Sequence, residues 1–335
     1  MIGVLAGVLM LANGIAQADV SMAFVTVGNP GNAADPSTGY GAVPYTYQMG
    51  EYDVTVGQYT TFLNAVAKTD PYGLYNSWMA TDRSYSTLGI TQSGSPGNYS
   101  YSVTGSDPQA ANCPAFDVTW GDAARFCNWL QNNQPTGAEG LGTTETGAYT
   151  LNGATTNAAL MAITRNAGAT DFIPSENEWY KAAYYNPSNA SYWLYPTKSN
   201  TAPSNVLSEI GTNNANFVGI SGVRTDPTNY LTPVGAFAAS PGPYGTYDMG
   251  GDVDQWNEAI YSVPWRGVRG GSCRENSGGM AATTRNANDP TAETNIVGFR
   301  VASSEAVPEP SSLTLVVCGG LCLIAYAWRK RRRTA

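Results

Sequence analysis

The 335-residue chain is long enough for one or two folding units with a sizeable core. Its 37 glycines and 20 prolines, with only 13% charged but 11% aromatic residues, exclude a helical bundle and a disordered chain alike. The net charge of −8 comes without a single histidine, which excludes Ser-His-Asp triads, imidazole bases and His-ligated zinc or iron.

Residues 1–18 form an uncharged apolar run ending Ala16-Gln17-Ala18 before Asp19, the pattern of a cleavable secretory signal, although no Lys or Arg precedes Lys68. A buried N-terminal strand is the plainer alternative. After a lead-in over 19–44, three capping signals predict three helices. Thr55 and Gln58 open Thr55–Lys68, which turns Tyr59, Phe62, Leu63 and Val66 inward. Thr119 and Asp122 open Thr119–Asn132, burying Ala123, Phe126, Cys127 and Leu130. Ser175 and Glu178 open Ser175–Asn186, with Trp179, Ala182 and Ala183 inward. The polar stretches at about 70–112 and 133–170 read as insertions or surface loops. Elsewhere short strand candidates alternate with loops rich in Gly, Asn, Ser and Thr.

Between 19 and 304 stand twelve basic and 23 acidic residues, a net charge of −11. That balance argues against nucleic acid as a partner and is compatible with cation binding. Cys113, Cys127 and Cys273 lie in this body and permit at most one internal disulfide, with no metal-knuckle spacing; Cys318 and Cys322 follow in the tail. There, Val307-Pro308-Glu309-Pro310 precedes an apolar run, Leu313 to Trp328, and the basic block Arg329 to Arg333. At about 1.5 Å per residue the run spans about 24 Å, which predicts a transmembrane helix over 313–328 with the body facing outward. These features together resemble a PEP-CTERM sorting signal. The resemblance implies an exosortase-type processing enzyme as partner, cleavage near Pro308-Glu309-Pro310, and delivery to the outer surface or extracellular matrix of the cell envelope. A plain C-terminal membrane anchor is the simpler alternative.

Six motifs follow one another along the body. They are Tyr47-Gln48-Met49-Gly50-Glu51-Tyr52-Asp53-Val54-Thr55, then Pro114-Ala115-Phe116-Asp117-Val118-Thr119-Trp120, and Ile173-Pro174-Ser175-Glu176-Asn177-Glu178-Trp179. Tyr247-Asp248-Met249-Gly250-Gly251-Asp252-Val253-Asp254-Gln255-Trp256, Arg269-Gly270-Gly271-Ser272 and Gly298-Phe299-Arg300 complete the set. In this order they resemble the sulfatase-modifying-factor, or formylglycine-generating enzyme (FGE-like), family over residues 45–304. The resemblance implies a single compact α+β domain, related to the C-type-lectin-like fold, with much irregular structure.

Active members of that family oxidise a sulfatase cysteine to formylglycine with two copper-binding cysteines that follow the Arg-Gly-Gly-Ser segment. The matching positions here are Glu275 and Met280, and Cys273 is the one thiol nearby. A single thiol cannot supply linear Cu(I) coordination, so copper is not expected, and the absence of histidine excludes the family's iron-dependent branch. The resemblance also implies two structural Ca²⁺ sites. One comprises Asn216, the Phe217 carbonyl, Asp226 and the Thr228 carbonyl; the other comprises Asp248, the carbonyls of Gly251 and Val253, and Gln255. Hard oxygen ligands on Gly- and Asn-rich loops suit Ca²⁺. Gln255 stands where the family has Glu, which weakens the second site unless Asp252 or Asp254 compensates; Asx-turns and loop hydrogen bonds are the structural alternative for all of these residues.

Trp120, Trp179 and Trp256 read as core anchors, Arg269 and Arg300 as buried and hydrogen-bonded, and Gly270 and Gly271 as a tight backbone path. The expected protein is an exported, non-catalytic FGE-like domain that binds envelope glycan or protein or has a structural role. The alternatives are a formylglycine-generating oxidase using Cys273, and a carboxylate-based hydrolase using Glu275, Asp252 and Asp254.

Overall fold

The computed structural model describes residues 20–81, 88–105, 108–208, 210–219 and 221–304. The signal segment 1–18 and the sorting segment 305–335, with its transmembrane helix 313–328, lie outside the described residues. Among the described residues no helix is long and apolar enough to cross a membrane.

The body begins with β1 (Phe24–Val27) paired antiparallel to β2 (Tyr47–Gly50). Helix α1 (Val56–Val66) starts where expected: Thr55 Oγ1 accepts the Gln58 N–H at 3.2 Å, and Gln58 Oε1 accepts the Thr55 N–H at 2.9 Å. This reciprocal cap satisfies two backbone donors that the first turn leaves free. Its apolar stripe of Tyr59, Phe62, Leu63 and Val66 is fully buried. The stretch that follows is more ordered than an insertion: it holds α2 (Trp78–Thr81) and the hairpin β3 (Gly89–Ser93)–β4 (Ser100–Thr104).

Helix α3 (Trp120–Gln131) carries the second capping box, from Thr119 and Asp122. Phe126 on α3 meets Phe62 with ring centroids 5.3 Å apart and Phe299 at 5.3 Å, edge-to-face in both cases. This aromatic cluster is the centre of the core. The stretch 133–170, expected as an insertion or surface loop, sends its middle into that core: Thr144 and Tyr149 are wholly buried and Glu145 nearly so. The cause lies on α3, whose buried Arg125 and Asn128 need partners once water is removed. Asn128 Nδ2 donates to the carbonyls of Thr144 (2.7 Å) and Tyr149 (3.0 Å), while its Oδ1 accepts the Tyr149 N–H (2.8 Å). Arg125 pairs with Glu145 at 2.6 Å. Amide and guanidinium thereby draw the loop inward, and its short helix α4 (Asn157–Ala162) adds Leu160 to the core.

The strand β5 (Asp171–Phe172) leads to α5 (Glu176–Tyr184), which is capped by Ser175 and Glu178, and then to the small hairpin β6 (Tyr185–Asn186)–β7 (Ser191–Tyr192). A long irregular passage precedes β8 (Asp254–Ser262), β9 (Trp265–Arg269), β10 (Asn286–Asn288), β11 (Val297–Gly298) and β12 (Ala302–Ser303). One sheet has the order β1-β2-β12-β5, and the other has the order β10-β9-β8-β11, with β11 parallel to β8. Because β12 slots between β2 and β5, the last described strand locks the first segments in place. The result is the single mixed domain expected, containing 18% helix and 20% strand. The three body cysteines are buried thiols, and among the described residues the one disulfide that their number allowed does not form.

Removing one cap and removing the α3 amide should differ in size. Thr119→Ala should cost about 1 kcal/mol. Asn128→Ala should cost about 3 kcal/mol, because it leaves three buried backbone groups without partners. Urea denaturation of the two variants should give this order.

Candidate functional site

The motif segments converge on Arg300, which is wholly buried. Its Nη1 donates to the Gly50 carbonyl (2.6 Å), its Nη2 to the Tyr247 carbonyl (2.7 Å) and its Nε to Gln255 Oε1 (3.0 Å). Gln255 Oε1 also accepts the Trp179 indole N–H at 2.7 Å, and Gln255 Nε2 donates to the Asp248 carbonyl at 2.7 Å. The nearest carboxylate, Asp53, is 3.4 Å from Arg300 and has no hydrogen-bond donor on either oxygen. Burial pushes the Asp53 carboxyl well above the usual range, against the pull of Arg300. The guanidinium is therefore held mainly by carbonyls and an amide, which its fixed fork of donors suits. Arg269 is held similarly: it pairs with Glu176 at 2.8 Å and donates to the Thr284 carbonyl at 2.7 Å. Trp120, Trp179 and Trp256 are all fully buried, as expected of core anchors.

The candidate calcium ligands divide. Asn216 is buried; its Nδ2 donates to the Tyr230 carbonyl and to Asp252 Oδ1, both at 2.7 Å, and its Oδ1 has no partner. Asp226 Oδ1 accepts the N–H groups of Thr228 (2.7 Å) and Asn229 (2.9 Å), shaping the turn that carries the Thr228 carbonyl. The Phe217 carbonyl takes only a long contact, 3.3 Å from Asn205 Nδ2. An all-oxygen donor set with one orphaned buried carbonyl oxygen fits a hard cation. The second set does not fit as a whole. Gln255 Oε1 already accepts two N–H groups, one from a guanidinium, which leaves it no role towards a cation. Asp248 Oδ2 accepts the Gly235 N–H at 2.6 Å, and burial pushes its carboxyl up to about 6. Gly251, at φ +87°, lies so close to the Asn216 carbonyl that a Cβ there would be 2.2 Å from it. The two candidate sets therefore belong to adjoining segments.

Asp252 and Asp254, the carboxylates that could compensate for Gln255, are both engaged by protein donors. Asp252 accepts from Asn216, the Thr232 N–H (2.8 Å) and Thr232 Oγ1 (2.7 Å). Asp254 Oδ1 accepts the Gly271 N–H at 3.0 Å, which requires the left-handed backbone of Gly270 (φ +109°) and Gly271 (φ +68°). Sequence reasoning missed the partnership of Thr232 and Tyr230 with this cluster, since neither occupies a motif.

At the positions matching the family's copper thiols, Met280 is buried and its carbonyl accepts the Tyr184 hydroxyl at 2.9 Å. Glu275 is half-buried, with Oε2 shielded from water and without a partner. Burial, and then the charge of Glu275, push Asp254 up to about 7, and burial raises Glu275 too. Of the three carboxylates considered for acid–base work, Asp254 and Glu275 thus interact, while Asp252 is tied elsewhere. Cys273 is wholly buried, with its N–H on the Asp252 carbonyl at 2.8 Å. The residues present do not fit a copper ion, which needs two thiolates. The cavity beside Asp248, Met249 and Gly250 holds only ≈ 10 Å³, room for about one water. Larger clefts lie elsewhere, one of ≈ 370 Å³ bordered by Tyr45, Tyr47, Arg165 and Phe172.

The Sulfatase-modifying factor enzyme 1-like domain family (FGE-sulfatase) matches residues 22–305. Treponema denticola variable protein 1 is similar in fold, with a TM-score of 0.51 at 18% identity, over 85% of this chain and 96% of that one. A structure described as CarF aligns at TM-score 0.49 and 17% identity, over 85% and 99% of the two chains. PvdO from Pseudomonas aeruginosa aligns at 0.44 and 18%, over 85% and 92%. No curated protein matches the chain.

Arg300→Met should destabilise the domain by roughly 3–5 kcal/mol, since it strands several buried acceptors. Asp53→Asn should cost under about 1 kcal/mol, because the carboxyl it replaces is held towards its neutral form. Equal losses in urea denaturation would mean that the pair is a conventional ion pair.

Proposed function

The chain belongs to the sulfatase-modifying factor enzyme 1-like family, and from that premise we propose that it is a non-catalytic member, an exported and calcium-stabilised domain with a binding or structural role in the cell envelope or matrix. The observation that carries this reading is the state of the catalytic positions: Glu275 and Met280 replace the copper thiols, and Cys273 is sealed from solvent. An oxidase of this family must hold Cu(I) between two thiolates and admit a peptide cysteine, and neither requirement has support here.

Calcium has support at the first site. Asn216 Oδ1, the Phe217 and Thr228 carbonyls and the Asp226 carboxylate would hold the ion, tying the 214–217 segment to the 226–228 turn. Export has its support in the two ends of the sequence. A contact surface is offered by the β8–β9 tip, where Ile260, Tyr261, Val263 and Trp265 are exposed, and by the Tyr45 cleft, whose exposed ring suits glycan or protein. A second reading, carboxylate-based hydrolysis, rests on the Asp254–Glu275 pair.

The purified body, incubated with Cu(I), oxygen and a sulfatase-type cysteine peptide, should form no aldehyde. Aldehyde formation that Cys273→Ser abolishes would establish the oxidase instead. Loss of hydrolysis in Glu275→Gln, on a glycan or peptide panel cleaved by the wild type, would favour the second reading. Chelator should lower the melting temperature, and Asp226→Ala should remove most of that response; a melt unchanged by chelator would rule out a stabilising ion.

A further inference from the structure

Two carboxylic acids meet where the 70–75 turn touches the 137–145 loop. Glu139 is 8% exposed, and neither of its oxygens has a conventional donor. It faces the Asp70 carboxyl within side-chain hydrogen-bond reach. Asp70 is already engaged: Oδ1 accepts the Leu74 N–H at 2.7 Å and Oδ2 accepts the Tyr75 N–H at 3.1 Å. Ionised carboxylates only accept, so two of them at this contact would repel with no hydrogen between them.

The surrounding groups offer no relief. Helix α1 presents Tyr59, whose hydroxyl is spent on the Leu74 carbonyl at 2.8 Å, and β4 presents Tyr101, spent on the Ala67 carbonyl at 2.7 Å. Helix α3 presents Asp122, which caps Thr119, and Arg125. That guanidinium is committed to Glu145 at 2.6 Å and to the Ala154 carbonyl at 3.0 Å, and it lies over the Tyr72 ring at 4.7 Å. Among the described residues no three acidic or thiol side chains gather as a metal would require.

We propose that Glu139 keeps its proton in the folded protein and donates it to Asp70, forming a carboxyl–carboxylate latch that closes the 137–145 loop onto the 70–75 turn and opens as the proton is lost. Burial, and then the negative charge of Asp70, push the Glu139 carboxyl up to about 8. In the open loop it returns to about 4.3. The closed state therefore binds one more proton than the open state between those values. Its extra stability is complete in acid and is lost as pH rises, with opening favoured up to about tenfold per pH unit until about pH 8 and level beyond. The loop so released carries Glu145, the partner of Arg125, so the latch governs how firmly the polar face of α3 is covered.

Native-state amide exchange across 137–145, corrected for intrinsic rate, tests this on the full body. Wild-type protection should fall about tenfold per unit over roughly pH 5–8. Glu139→Gln keeps an N–H donor towards Asp70 at every pH and should flatten that dependence. The same slope in wild type and Glu139→Gln would overturn the latch. Protection restored at about pH 8 by added Ca²⁺ in the wild type but not in Glu139→Gln would also overturn it, since the pair would then hold a metal. Should Glu139→Gln fail to fold, the wild type still decides: the side-chain carboxyl carbon of Glu139, followed by NMR, should change shift near pH 8, and a change near pH 4 instead refutes the proposal.

Discussion

A guanidinium sealed from water requires acceptors from several directions at once, and Arg300 is such a group. Its donors reach the end of β2, the carbonyl of Tyr247 and the amide of Gln255, which in turn holds Trp179 of α5. Segments far apart in the chain are thereby required to meet at one point. An unfilled donor there would cost the folded state about 1–3 kcal/mol, so the motifs around it constrain one another. The two sheets are joined through the same point, because Arg300 lies between β11 and β12, one strand of each.

The acidic surplus of the body is handled locally, and in different ways. Asp252 is satisfied by an amide and by the backbone and hydroxyl of Thr232; Glu176 and Glu145 take arginines. Asp254–Glu275 and Asp70–Glu139 are instead left as carboxyl pairs. Each such pair is costly unless a proton or cation enters it. The surplus that reads in the sequence as a general affinity for cations therefore resolves into distinct arrangements with distinct pH behaviour.

The non-catalytic reading depends on packing as much as on residue identity. In that proposal Glu275 and Met280 stand where copper thiols would be needed, and Met280 and Cys273 are buried. The contact role in the same proposal draws on the peripheral clefts and on the exposed apolar β8–β9 tip.

The sequence alone determined the three long helices, because a Ser or Thr with its partner three residues on is a local rule that backbone geometry enforces wherever it occurs. It also determined the family and the exclusion of imidazole chemistry, and it identified Trp120, Trp179, Trp256, Arg269 and Arg300 as buried. It read 133–170 as an insertion or surface loop and did not show that its 144–149 part is buried, because the groups that draw that part inward, Arg125 and Asn128, lie on another element and look like ordinary polar helix positions. Gln255 reads along the chain as a weakened calcium ligand; only the fold places Arg300 and Trp179 on its oxygen. Likewise Asp70 and Glu139 carry no motif, and their contact exists only because two loops close over α1 and α3. Tertiary structure decided these points because hydrogen-bond saturation and carboxyl pairing depend on which groups share a buried space, and spacing along the chain does not encode that.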